Sequence, residues 1–243
     1  MKTTPFFLRN ILCVAIFSLL IISCNKNNKD FTTVDGAGLM AVNLAPGTTA
    51  SFAVSGSSIS SILPFNSYTG GYVSLFPGSG IVDAYTIEGL AARNDYNFES
   101  GKYYSLFLVD TGAALQQIIV QDNLDSLSTT SQSFVRYINA ISGTATVTIS
   151  SNGSTVVNET APFKRVSDFV AVDSGAVSIT VSNGSTVNVS RTITLEKQKV
   201  YTLLLSGVPG ASMETAPQIK FIVNGTVDEN SARISGSSSA VAK

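Results

Sequence analysis

The sequence predicts an all-β chain of two tandem immunoglobulin-like β-sandwich domains following a signal segment, and three observations carry that prediction. Ser, Thr, Val and Gly dominate the 243 residues, a composition suited to pleated, half-buried strands and tight turns. Nothing after Cys24 keeps a helical period, whereas short apolar alternations separated by Asn-Gly and Pro-Gly pairs recur along the chain. The second half of the chain also restates the first at a spacing of 96 to 98 residues.

Taken in order, the chain opens on a targeting segment. Lys2 and Arg9 form a positive n-region, and Ile11 to Ile22 is an apolar run interrupted by Ser18, which is the pattern of a secretory signal. The run falls short of the ~20 apolar residues of a membrane-spanning helix. Ile21-Ile22-Ser23-Cys24 resembles a bacterial lipobox, which implies cleavage before Cys24 and acylation of its thiol. Residues 1–23 are then a signal peptide, Cys24 the lipid attachment site and 24–34 a lipidated tether. Two or more acyl chains, at ~0.8 kcal/mol per buried methylene, hold a protein on a membrane where one chain binds reversibly. The alternative is an ordinary signal peptide cut near Ser23. Asn25 stands where an Asp would retain such a protein in the inner membrane, so the expected location is the cell envelope, anchored in the outer membrane and facing the periplasm or the surface.

Composition excludes several chemistries. The formal net charge is -1, and loss of Lys2 and Arg9 leaves 13 basic against 16 acidic groups, so the mature chain is near -3. That balance offers no footprint for nucleic acid. His and Trp are absent, and the two cysteines are Cys13, inside the signal, and Cys24. No intramolecular disulfide, His-dependent triad or His/Cys zinc site is available to the mature chain. Ser23-Cys24-Asn25-Lys26 spells S-x-x-K but straddles the cleavage point. No G-x-S-x-G elbow, P-loop or EF-hand-like oxygen cluster is present, and no cofactor is expected.

The repeat sets the domain boundaries. Leu39 to Gly47 aligns with Val135 to Gly143, and Leu63-Pro64-Phe65 with Ala161-Pro162-Phe163. Tyr72 to Gly78 aligns with Phe169 to Gly175, and Lys102 to Leu106 with Lys199 to Leu203. Modules are expected at 35–121 and 134–225, joined by a linker at 122–133 and followed by a flexible tail at 226–243. Asp122-Asn123-Leu124-Asp125 reads as turn and linker. Within the second module Val147/Ile149, Val177/Ile179/Val181, Val187/Val189/Ile193/Leu195 and Tyr201/Leu203/Leu205 each alternate at period two. Asn152-Gly153, Asn183-Gly184 and Asn224-Gly225 are expected to turn hairpins. Glu88 to Glu99 has a weak pattern, but its counterpart Thr186 to Leu195 is a clear strand, so a strand is expected there too. About seven strands in each ~90-residue module fit an immunoglobulin-like sandwich, without the cysteine pair and core tryptophan of antibody domains.

A lipobox followed by two modules, each opening on a Val-Asn-x-x-Pro-Gly-like strand and turn and closing on a Lys-x-Tyr-Thr/Ser-Leu strand, is similar to the bacterial envelope lipoproteins grouped as domain of unknown function four-three-nine-seven. The likeness spans Leu39 to Val223, with Ser142 where the first module has Pro46. It implies immunoglobulin-like folding and an envelope location, and it supplies no reaction, ligand or functional residue.

Candidate site residues are few. A carboxylate-only glycan hydrolase needs two acids about 5–10 Å apart, for which Asp83 with Glu88, or Asp95 with Glu99, are the available pairs. Neither pair recurs in the other module, and scattered surface acids account for them. Among the aromatics, Phe65 and Tyr72 match Phe163 and Phe169 and read as core, whereas Tyr68 and Tyr85 are not repeated and remain candidates for a ligand-binding face. The sequons at Asn158 and Asn188 read as turn and strand residues. The expected role is that of a non-catalytic, lipid-anchored envelope protein used in binding, adhesion or surface assembly. Its partners would be the membrane, through lipid at Cys24, and a protein or glycan ligand. The alternatives are the glycan hydrolase and a strand-exchanging subunit of a surface fibre.

Overall fold

The computed structural model describes residues 35–110, 112–128 and 131–227. The signal, Cys24, the tether and the chain from 228 onward lie outside the described residues. The first module contains β1 (Ala37–Asn43), β2 (Ser51–Val54), β3 (Ser57–Ser58), β4 (Ser67–Tyr68), β5 (Val73–Leu75), β6 (Gly78–Thr86), β7 (Gly89–Phe98), β8 (Tyr103–Asp110) and β9 (Leu115–Asp122). After a 3-10 turn at Leu124–Ser126 come β10 (Ser133–Asn139), β11 (Ala145–Ser151), β12 (Ser154–Ala161), β13 (Val170–Val172), β14 (Gly175–Ser182), β15 (Asn188–Leu195), β16 (Lys199–Ser206) and β17 (Gln218–Thr226). The Glu88 to Glu99 stretch is a strand, β7, as its counterpart implied.

Each module is a sandwich of two sheets. In the first, β4-β1-β8-β9, with β5 also on β1, faces β3-β2-β6-β7; in the second, β13-β10-β16-β17 faces β12-β11-β14-β15. One core fills each sandwich, around Phe52, Phe98, Tyr104 and Leu106 in the first and Val147, Ile149, Ile179 and Leu203 in the second. A third core lies between the modules, where Met40, Val42, Phe107 and Val109 meet Ile138, Val200, Leu204 and Ile222. The fold is therefore four layers deep, and its two inner sheets are covered on both faces.

That double burial explains the sequence of the inner strands. All seven residues of β1 and of β10 are buried, and β1 pairs in parallel with β8 as β10 does with β16. Parallel strands with both faces covered read as continuous apolar runs, which is the character of Leu106-Phe107-Leu108-Val109 and Leu203-Leu204-Leu205. Period-two alternation survives only in outer strands such as β11 and β14.

The repeated polar residues hold the repeated turns. Asn43 Oδ1 accepts from the Ala45 N–H, and its amide donates to the carbonyls of Thr48 and Leu63. Asn139 does the same with Ile141 and Ala161. The Tyr104 and Tyr201 hydroxyls accept from the N–H groups of Glu99 and Glu196, a corner of the kind seen in immunoglobulin-like sandwiches.

Three expectations are corrected in detail. Asn152 and Gly153 do turn a hairpin with positive φ, but Asn224-Gly225 lies within β17. The ladder passes from Val200↔Gly225 to Tyr201↔Val223, so Asn224 is the extra residue of a β-bulge, a device that re-aims a side chain. Asn183-Gly184 opens a wider loop, in which Asn183 Oδ1 accepts from the N–H groups of Ser185, Thr186 and Val187. At the C-terminal boundary, β17 runs to Thr226 and Val227 is buried, its N–H donating to the Gln198 carbonyl, so the ordered strand passes the start of the expected tail.

Strand direction gives the molecule two distinct ends. Residue 35 joins next to 101, where the Gly101 N–H donates to the Gly36 carbonyl, and the second module mirrors this with Gln198 and Gln132. At the other end Ser206 donates to Asn66 Oδ1 at 2.7 Å, and Lys164 donates to Gln116. The modules thus stand side by side with the same polarity. The turns after β1, β6 and β8 and those after β10, β14 and β16 share one end, opposite the end where residue 35 enters.

Candidate functional site

The side chains predicted from sequence do not converge. Tyr68 is half-buried on β4, opposite Val42, and packs against the core between the modules. Tyr85 lies on β6 with its hydroxyl donating to Asp83 Oδ2 at 3.1 Å. Asp83 in turn accepts from Arg93 Nε at 2.6 Å and Nη2 at 3.0 Å. The Arg93 guanidinium, helped by the Tyr85 hydroxyl, holds the Asp83 carboxyl below the usual carboxylate range, whereas a glycosidase acid needs its pKa raised. Asp83 is covered by its partners, but the Arg93 side chain is 53% exposed, so solvent screens the pair. Glu88 sits apart, at the β6–β7 turn. Asp95 and Glu99 are four residues apart on extended chain, about 13 Å at ~3.3 Å per residue, wider than the hydrolase spacing.

A larger polar constellation, invisible in the sequence, lies buried between the modules. Asp122, expected in the linker, is the last residue of β9, and its Oδ1 stands 2.6 Å from Nη1 of Arg136 on β10. Arg136 also donates through Nε to Thr202 Oγ1 at 2.9 Å and through Nη2 to Ser105 Oγ at 2.8 Å. Asp122 Oδ2 accepts from the hydroxyls of Ser105 and Tyr72. Asn224, turned inward by its bulge, accepts from Thr202 at 2.6 Å and donates to the Tyr72 hydroxyl at 2.9 Å. The six side chains form a closed ring of hydrogen bonds, and the Phe169 ring covers the guanidinium at 4.4 Å. Burial, followed by the Asp122 charge, pushes the Tyr72 hydroxyl well above the ordinary tyrosine pKa, so it stays a donor. In the first module the position of Arg136 is held by Met40 and that of Phe169 by Tyr72, so the repeat supplies complementary halves of the ring. Its chemistry is cohesive: each guanidinium nitrogen of Arg136, the three hydroxyls and the Asn224 amide all have a partner within the ring.

The exposed chemistry collects at the shared loop end. Of the nine large apolar residues exposed among the described residues, Ile62, Ile87, Leu90, Val208 and Met213 lie at that end, with Ile87 98% and Met213 92% exposed, whereas Phe76, 98% exposed, lies at the opposite end, next to Leu75 that pairs with Ala37. A groove of about 620 Å³ runs between the 47–49 turn, the β6–β7 hairpin and the β8–β9 turn, lined by Thr48, Thr86, Ile87, Glu88, Leu90 and Asp110 among others. Scattered single apolar residues are normal on a surface, whereas Ile87 and Leu90 line one groove together, and adjoining exposed apolar groups mark interaction sites. Among the described residues no group of three or more acids gathers as a metal site.

Residues 133–237 match the model of a family described as Domain of unknown function (DUF4397). This is the family that the repeat motifs resemble. The match covers the second module, and the first module shares its Asn, Pro-Phe and Tyr framework. A crystal structure from Bacteroides eggerthii DSM 20697, provisionally named a cell adhesion protein, is similar over 78% of this chain and 96% of its own, at 7% identity and a TM-score of 0.27. No curated protein matches the chain.

Proposed function

We propose that the protein is a non-catalytic, lipid-anchored binding protein of the cell envelope that presents its shared loop end to a macromolecular partner. The single observation that carries this reading is the gathering of exposed apolar side chains, Ile87 and Met213 foremost, at the end opposite residue 35. Anchorage is supported by Ile21-Ile22-Ser23-Cys24 and the polar tether behind it. The core shared between the modules supports presentation, because packing of this kind lets a partner meet loops held in one arrangement.

Fibre assembly by strand exchange has less support. The long outer edge β12 carries an irregular register at Val156 and turns the charged Glu159 toward Tyr137, whose hydroxyl donates to it. A bulge and an inward-pointing charge are two ways in which sheets blunt an edge.

The test is photocrosslinking in the native host, with a benzophenone residue placed at Ile87, at Met213 or, as controls on outer faces, at Asp95 or Thr155. Adducts to a macromolecule from the first two positions and none from the controls are expected; equal adducts from all four, or none, would overturn the reading. Cys24→Ala should abolish fatty-acid labelling.

A further inference from the structure

We infer that the groove of the first module takes a segment of a partner polypeptide in which an apolar side chain adjoins a lysine or arginine. This deepens the binding role proposed above and rests on it.

Ile87 projects from the tip of a tight hairpin between Thr86 and Gly89, almost fully exposed. Leu90, one residue past the turn, is half exposed. Beside them the groove wall carries two carboxylates and no cation: Glu88 and Asp110 lie among its lining residues, and no Lys or Arg does. Asp110 gives one oxygen to the Gly112 N–H at 2.7 Å. Glu88 offers its carboxylate with no side-chain partner among the described residues, its backbone N–H being the group that bonds to Thr86. An apolar knob with adjacent acids complements a basic, apolar segment and repels an acidic one. The same acids disfavour an anionic membrane surface, which attracts basic segments.

The second module lacks this arrangement at the corresponding positions. Gly184 replaces Ile87, the Asn183 side chain closes the turn on itself, and Val187, matching Leu90, is fully buried. Gly207, at positive φ, lets the following loop approach to where an added Cβ would stand 2.4 Å from the Ala216 carbonyl oxygen. The second module therefore closes the turn that matches the Ile87 hairpin, whereas the first leaves its apolar residue exposed there.

The experiment measures fluorescence anisotropy of labelled 12-residue peptides against the full chain in nanodiscs. Peptides of mixed isoleucine and lysine, isoleucine and glutamate, and serine and lysine are compared, with phosphatidylglycerol vesicles as the membrane probe. The isoleucine–lysine peptide is expected to bind best, and more weakly as salt rises. Ile87→Ser should weaken it roughly 10- to 100-fold, which is the ~1.5–3 kcal/mol of burying an isoleucine converted at ~1.4 kcal/mol per tenfold. Glu88→Lys should shift preference toward the isoleucine–glutamate peptide. Equal binding of both isoleucine peptides, indifference to Ile87→Ser, or vesicle binding in place of peptide binding would overturn the inference. If no peptide binds yet Ile87 still crosslinks a partner in cells, the peptide inference fails and the binding role stands. If both fail, the binding role falls with it.

Discussion

Removing Arg136 alone should damage the protein more than removing the whole ion pair. The side chains of Arg136 and Asp122 are 3% and 0% exposed, so Arg136→Met leaves a buried carboxylate whose remaining protein donors are the Tyr72 and Ser105 hydroxyls. Breaking one side of a buried pair costs about 3–5 kcal/mol, whereas replacing the pair with uncharged groups is often close to neutral. Methionine is a fair probe of shape, because Met40 fills the matching position of the first module and is fully buried there. The double variant Arg136→Met/Asp122→Asn removes the charge but sacrifices part of the ring, and should lie about 1–2 kcal/mol below the natural protein at ~1 kcal/mol per hydrogen bond. Urea unfolding followed by tyrosine fluorescence reads both. With a slope of ~2–3 kcal/mol per molar, the single variant should unfold on the order of 1–2 M earlier, and the double variant should recover at least half of that loss. A single variant losing less than about 1 kcal/mol, or a double variant no better than the single, would refute this account of the interface.

Other consequences follow from the same contacts. Tyr72 is neutral in the folded state with its pKa well above the ordinary value; its contribution is therefore complete below the ~10 of an unfolded tyrosine and declines as pH rises from there toward the folded pKa, by at most ~1.4 kcal/mol per pH unit. Denaturation across pH 9–12 should show that decline, and Tyr72→Phe should flatten it. Asn43→Ala and Asn139→Ala should each cost about 1–3 kcal/mol in melting experiments by orphaning buried backbone groups, with Asn43 the more costly because it serves three such groups and Asn139 two. Residues 35–121 expressed alone would expose Met40, Val42, Leu44, Phe107 and Val109; they should associate or bind a hydrophobic dye, and a monomeric, dye-silent fragment by size-exclusion chromatography would contradict the shared core.

What the sequence disclosed was local. Asn43 and Asn139, the Pro-Phe pairs and Tyr104 and Tyr201 serve turns close to them in the chain, so their repetition is visible as spacing. Strand alternation was legible where one face meets solvent, as in β11 and β14. The third core was hidden because a strand covered on both faces loses its alternation, although the unbroken run Leu106-Phe107-Leu108-Val109 is the signature of such burial. Asp122 looked like a linker acid because its partner lies across an interface that no periodicity encodes. The one available signal was Arg136, a charge between Val135 and Tyr137 where the repeat has Met40. Asn224-Gly225 has the composition of a turn, and the ladder on Tyr201 and Val200 makes it a bulge. The groove escaped notice for a related reason: Ile87 and Leu90 are ordinary strand residues by composition, and their exposure depends on a hairpin tip that no other element among the described residues covers.

The central claim is that the shared core fixes both loop ends in one presenting surface. Double electron–electron resonance between spin labels at Ile87→Cys and Met213→Cys, in a chain whose Cys13 and Cys24 are replaced, tests it most directly. A single narrow distance distribution is predicted, unchanged when the lipid-free protein is bound to a surface. A broad or multiply peaked distribution would mean that the modules move independently and would contradict the account.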